Sequence, residues 1–363
     1  VKKILASLAA IAAIVSGISM GGPSAVQAAP VAGTAVAQDS ADPTVGGAIK
    51  VSKPPKITAA NTLRSYKVPT AAQAKATRLK KAPGKNGVVL PPAPGDPVYK
   101  YADGNQGFTT NLPYALYANL FQANPFLDST EATAGAHSLM ELAFIKTTPT
   151  GPGGSNVRQI IEIGWTVDRN LNGDYNTHMF SGAWVNDVFL GYNLDPNAGF
   201  VKYTGVDHSA LYPGDTITGT GVAKSYYIQY DAGNYWLRYD NKWVGYYPGS
   251  KWTSAGVSTF TNADNTQAFT EIATIDPRLF SCSDMGTGDQ GSTGTLPNAY
   301  IGSVGYLPTT TATPPGPTPN MFWHMAPSTL TEYSIYGPSG RTAYTGGPGR
   351  NLTDTATGTK GSC

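Results

Sequence analysis

Short runs of alternating apolar and polar residues, each closed by a cluster of Gly, Pro, Asn or Asp, set the tightest limit on this fold. From Tyr99 onward no long segment carries the 3.6-residue apolar period of a helix. Strand-like runs cover Leu139 to Lys146, Arg158 to Asp168 and His178 to Val185. They continue through Ser225 to Tyr230, Tyr235 to Tyr239, Trp243 to Tyr247 and Gln267 to Ile275. Asp231-Ala232-Gly233-Asn234 and Asp240-Asn241-Lys242 supply hairpin turns. Gly 42 and Pro 28 make up about a fifth of 363 residues, which favours many turns and few long helices. With no internal repeat, this pattern predicts an all-β fold, a two-sheet antiparallel β-sandwich.

The N-terminus reads differently. Lys2 and Lys3 precede an apolar run from Ile4 to Ile18, and Val26-Gln27-Ala28 offers the small residues of a cleavage site. Residues 1–28 are therefore expected to be a signal peptide, and the mature chain to be secreted and extracellular. The apolar run is too short for a membrane anchor. Ten of the 25 basic residues fall between Lys50 and Lys85, and a proline-rich linker follows from Pro91 to Pro97. Residues 29–98 read either as a propeptide that masks an acidic groove by charge or as a disordered spacer. Residues 99–363 form the expected sandwich domain.

Charged residues make up 13% of the chain and the net charge is +2, so neither nucleic acid nor a membrane is an expected partner. The four histidines are scattered without metal-ligand spacing, and no metal or cofactor is expected. Two cysteines, Cys282 and Cys363, most simply form one disulfide in an exported chain; two separate thiols are the other reading.

Carboxylates inside the apparent strands are few: Glu141, Glu162 and Glu271. In Ile160-Ile161-Glu162-Ile163-Gly164-Trp165-Thr166-Val167, the residues Ile161, Ile163, Trp165 and Val167 share one face, and Glu162, Gly164 and Thr166 share the other. Glu162 thus stands over backbone left open by Gly164, as an acid or base in a groove would. The pattern equally suits a solvated strand face, and Glu141 is read that way. Two carboxylates close across a groove can share a proton, one acting as acid and one as base. Such a pair serves peptide or glycoside hydrolysis without a cofactor.

Several segments resemble, in order, the neprosin family of secreted glutamic endopeptidases. They are Ile161 to Val167 with Asn172 to Thr177, Gly191-Tyr192-Asn193-Leu194 and Gly199-Phe200-Val201. Asn234-Tyr235-Trp236-Leu237, Gly245-Tyr246-Tyr247-Pro248, Asp284-Met285-Gly286-Thr287-Gly288 and Tyr344 to Arg350 follow. The resemblance implies a two-sheet sandwich with two catalytic glutamates in a groove, here Glu162 and Glu271. It implies an inhibitory N-terminal segment and a protein or peptide substrate. Plant members are known for cleaving after proline. Gly164, Trp165, Tyr192 and Trp236 are the expected lining of the substrate groove, and the chain is expected to act as a monomer. Ala268-Phe269-Thr270 stands where the family has Trp-Gly-Gly, which changes the groove beside Glu271. The alternative is a non-catalytic, lectin-like sandwich that binds wall glycan or protein through aromatic side chains. The two readings differ in where they put the carboxyls of Glu162 and Glu271: facing one groove for the enzyme, on opposite faces for the binding module.

Overall fold

The structure, a computed structural model, describes residues 49, 52–65, 98–149, 156–274, 281–291, 294, 298–309, 317, 319–326 and 333–347. In chain order its strands begin with β1 (Thr62–Leu63), β2 (Val98–Gly107), β3 (Ala115–Gln122), β4 (His137–Pro149) and β5 (Asn156–Val167). β6 (His178–Val185), β7 (Val188–Tyr192), β8 (Val201–Tyr203), β9 (Val222–Asp231), β10 (Asn234–Tyr239) and β11 (Lys242–Pro248) follow. The last are β12 (Asn265–Thr274), β13 (Ala299–Leu307), β14 (Phe322–Ala326), β15 (Ser334–Ser339) and β16 (Thr342–Gly346). Three short helices, α1 (Ser129–Ala134), α2 (Arg169–Asn172) and α3 (Ser250–Thr253), sit in connections. Each strand run read from the sequence falls within one of these strands to within a residue at its ends, as Gln267 to Ile275 does with β12.

Two antiparallel sheets result. One has nine strands in the order β1-β8-β11-β10-β9-β3-β13-β16-β15, the other seven in the order β14-β2-β12-β4-β5-β6-β7. The hairpin turns behave as the sequence requires. Asp240 and Asn241 have φ of 47° and 61°, the paired left-handed conformation of a two-residue turn whose twist matches its strands.

The main core lies between the sheets. From the seven-stranded sheet come Met140, Leu142, Phe144, Ile161, Ile163, Trp165 and Met179; from the nine-stranded sheet come Leu116, Leu120, Ile228, Tyr235, Leu237 and Val244. The Trp165 indole N–H donates to the Phe121 carbonyl at 2.9 Å, tying β5 to β3 across this layer. The outer face of the seven-stranded sheet carries a second apolar cluster that includes Tyr99, Tyr101, Leu139, Phe180, Trp184, Tyr192 and Phe269.

β1 belongs to the segment read as propeptide or spacer, yet Thr62 and Leu63 pair with Tyr203 and Lys202 at an edge of the nine-stranded sheet. Thr62 and Leu63 thus add a short strand to that sheet. The signal-peptide region, residues 66–97 and Cys363 lie outside the described residues.

The segment after β12 is anchored by one buried carboxylate. Asp128 caps α1 by accepting from the Thr130 and Glu131 amides. The cap places Glu131 where it accepts from the Ser281 hydroxyl at 2.8 Å, the Cys282 amide at 2.8 Å and the Ser283 hydroxyl at 2.7 Å. Cys282 is buried and disulfide-bonded. Replacing Glu131 by Ala leaves three buried donors without their acceptor. Thermal or denaturant unfolding should report a loss of about 3 kcal/mol, and a variant within about 0.5 kcal/mol of the parent would refute the anchoring role.

Candidate active site

Cross-strand register decides which side chains share the outer face of the seven-stranded sheet, because directly paired residues point the same way. Glu271 on β12 pairs with Leu139 on β4, and Leu139 pairs with Thr166 on β5. Two residues along β4, Glu141 pairs with Phe269 on one side and Gly164 on the other. Two residues further, Ala143 pairs with Glu162, which pairs with Gly182 on β6. Glu271, Glu141 and Glu162 therefore lie on one face, in a diagonal row across three adjacent strands. All three are buried, with relative exposures of 1%, 0% and 0%. The solvent-facing reading of Glu141 is thus corrected. The apolar cluster on this outer face gives Glu141 an interior position where the sequence pattern suggested a wet one.

Each end of the row has its own environment. At one end, His137 Nε2 lies 2.7 Å from Glu271 Oε1, and His137 Nδ1 faces Asp168 Oδ2 at an ion-pair distance of 3.9 Å. Asp168 is fixed as the cap of α2, accepting from the Asn170 and Leu171 amides. On β2, Tyr101 pairs with Glu271 and hydrogen-bonds it. Burial, then the Glu271 charge, push the Tyr101 phenol well above its ordinary range, so it remains a donor. At the other end, Glu162 sits over Gly182. A Cβ at Gly182 would lie 2.7 Å from Glu162 Oε2 and 2.8 Å from the Phe189 ring, so only glycine leaves that carboxyl its place. Gly164 does the same for β4, since a Cβ there would meet the Met140 carbonyl and come within 2.7 Å of Glu141 Cα.

A fourth carboxylate, Asp103 on β2, shares the face through its pairing with Phe269. Burial pushes its carboxyl from the ordinary 3.8 up to about 7. His324 Nε2 stands 3.9 Å away, and Asn105 and Gln267 donate weakly at 3.4 Å.

Of the four side chains expected to line a groove, Gly164 and Tyr192 lie on this face, the latter packed on Phe180 and Phe189. Trp165 and Trp236 do not. Trp165 points into the layer between the sheets, as the period of two dictates for a neighbour of Gly164. Trp236 belongs to the nine-stranded sheet. Its neighbours Tyr235 and Leu237 fill the inter-sheet core, so Trp236 faces outward and packs with Tyr203, Trp243 and Tyr246 on the far side of the sandwich. His137, Tyr101 and Asp103 went unnoticed in the sequence. The signal for His137 was available: it stands two and four residues before Leu139 and Glu141, on their face. Among the described residues no group of three or more His, Cys, Asp or Glu side chains could hold a metal ion, and no helix is long and apolar enough to cross a membrane.

The family model for Neprosin matches residues 140–348. No curated protein matches. A glycoside hydrolase family 16 endo-glucanase from Bacteroides ovatus is 12% identical, covering 60% of this chain and 83% of that one at a TM-score of 0.26. CG-16, a homodimeric agglutinin from chicken liver, is 8% identical, covering 47% of this chain and 92% of that one at a TM-score of 0.23.

The raised Asp103 carboxyl has a definite sign. A buried group that holds its proton more tightly when folded stabilises the fold fully below its unfolded value, and that contribution is lost as pH rises through its folded value. Stability should fall between pH 3.8 and about 7, and Asp103→Asn should flatten that slope in thermal unfolding. An unchanged slope in the variant would mean that Asp103 titrates elsewhere.

Proposed function

The chain belongs to the neprosin family, and from that premise we propose that it is a secreted glutamic endopeptidase acting at acid pH. The observation that carries the reading is the common outer face on which Glu271 and Glu162 are buried, in line with both being used by one reaction. The family supports a peptidase; the division of labour follows from the two environments. Glu271 accepts from the Tyr101 hydroxyl and has His137 Nε2 at 2.7 Å, and hydrogen bonds donated to a carboxylate favour its ionised form. It is the base that takes a proton from the attacking water. Glu162, at the other end of the row against Gly182 and Phe189, takes the complementary role of acid. It protonates the leaving amine. A C–O bond forms at the scissile carbonyl as the C–N bond breaks, and each turnover leaves Glu271 with one proton more and Glu162 with one fewer. The substrate is an extended peptide in a denatured or proline-rich protein, and the enzyme works outside the cell once its N-terminal segment is removed.

The test is cleavage of denatured protein and proline-rich peptides, from strongly acidic to neutral pH, by chain freed of its N-terminal segment. The wild type should cleave at acid pH, and Glu162→Gln and Glu271→Gln should each lose at least about a hundredfold in kcat. Retained activity in either variant would refute the mechanism. A wild type that binds but never cleaves would instead describe a non-catalytic sandwich.

Gly182→Ala tests the fit around Glu162 independently. Its methyl group displaces the carboxyl or the Phe189 ring, and a misplacement of about 1 Å costs roughly a hundredfold in rate. Wild-type kcat in this variant would show that the Glu162 position is not critical.

A further inference from the structure

Glu271 and Glu162 do not sit side by side. Their partners on β4, Leu139 and Ala143, are four residues apart, and the two glutamates are separated by two strand spacings. With about 3.3 Å per residue and about 4.8 Å per strand, their Cα atoms are roughly 16 Å apart. Even leaning toward each other, the two side chains leave roughly 8 Å between carboxyls. That gap accommodates a water and a scissile bond, as in acid–base pairs about 6.5–9.5 Å apart. It is too wide for a proton to pass directly from one carboxyl to the other. Yet each turnover leaves a proton on Glu271 and takes one from Glu162, so a proton must return before the next.

Glu141 occupies the middle of that gap. It is the diagonal cross-strand neighbour of both glutamates, at about 7–8 Å from each, a distance long side chains span. It is wholly buried on the same face, and its charge, like that of Glu271, acts on the Tyr101 phenol. Directly opposite stands Gly164, whose lack of a side chain lets β5 approach the Glu141 backbone closely, since a Cβ there would come within 2.7 Å of Glu141 Cα and Cβ. We infer that Glu141 is the relay carboxylate that returns the proton from Glu271 to Glu162 after each turnover, an inference that rests on the proposed glutamic-peptidase reading. The step balances: Glu271 gives its proton to ionised Glu141, Glu141 passes it to ionised Glu162, and the row keeps the same number of protons. The titratable groups that face Glu141 are Glu271 from β12, Glu162 from β5, Tyr101 and Asp103 from β2, and His137 from its own strand. Of these only Glu271 and Glu162 lie on its diagonals as carboxylates able to exchange a proton with it.

A relay leaves a kinetic signature that a packing role does not. In Glu141→Gln the first turnover should run at the wild-type rate, because acid and base start correctly protonated. Later turnovers should slow about a hundredfold. Rapid-quench measurement at acid pH should then show a burst of one product per enzyme followed by a slow steady state. Formate should speed the slow phase by carrying the proton, and Glu141→Asp should restore part of it. Wild-type steady-state rates in Glu141→Gln, with Glu162→Gln and Glu271→Gln inactive, would overturn the relay and leave the peptidase reading standing. Equal slowing of the first and later turnovers would also overturn it, because Glu141 would then serve the chemical step or the fold. No cleavage by the wild type would remove the peptidase reading and the relay with it.

Discussion

The register between β4 and its two neighbours underlies everything on the outer face. Side chains alternate along a strand, so a slip of one residue in any of these strands would carry its glutamate into the inter-sheet layer and its core residues outward. What forbids the slip is the core itself. Met140, Leu142, Ile161, Ile163 and Trp165 are buried against the nine-stranded sheet, at about 1.5–3 kcal/mol for each large apolar side chain. Turning that set outward would cost far more than a domain's marginal stability. The Trp165 hydrogen bond to Phe121 adds a directional lock where dispersion alone would allow sliding. The position of the carboxylates is thus a consequence of apolar packing on the other side of the sheet.

Stability gives no reason to bury three glutamates on adjacent strands. Each buried carboxylate loses hydration, and like charges nearby add to the cost. At the Glu271 end the face offers His137 and Tyr101 as partners. Glu131 makes the contrast plain. It is equally buried, but three donors converge on it. One is a structural carboxylate satisfied in place. The others form a row of neighbouring carboxylates on one face, an arrangement suited to acid–base chemistry and a poor one for a scaffold.

How much of this could be read from the residues varied with how dry each strand face is. β5 was legible because Glu162, Gly164 and Thr166 interrupt a run of Ile, Trp and Val with the period of two. β4 was not. Its inward Met140, Leu142 and Phe144 alternate with Leu139, Ala143 and Ile145, which are buried on the outer face. A strand dry on both sides shows no alternation, so Glu141 looked like the one polar residue that ought to reach water. On β2 the polar residues Lys100 and Asp103 are likewise buried. Trp236 misled through aromatic character alone, because the sequence of a single strand does not say which of two sheets it joins. Periodicity places His137 on the face of Glu141, but not beside Glu271, whose position is 134 residues further along the sequence, a separation across which periodicity carries no information.

The motifs that carried the family resemblance now divide by physical role. Asp284-Met285-Gly286-Thr287-Gly288 and the Gly346-Gly347 pair bear none of the acid–base groups. They meet each other, with Met285 bridging Gly347 and its amide donating to the Gly347 carbonyl at 3.2 Å. Gly286 holds a φ of 65°, and a Cβ there would lie 2.5 Å from that of Ala299. These are places where backbones approach too closely for side chains. The Met285 segment is held from its other end by Glu131 through Ser281 and Ser283, and by the Tyr333 hydroxyl on the Ser283 carbonyl at 2.6 Å. It leads from β12, which carries Glu271, to β13 in the opposite sheet. Recognisable sequence in this protein lies as much in the clamps around the carboxylate row as in the row itself.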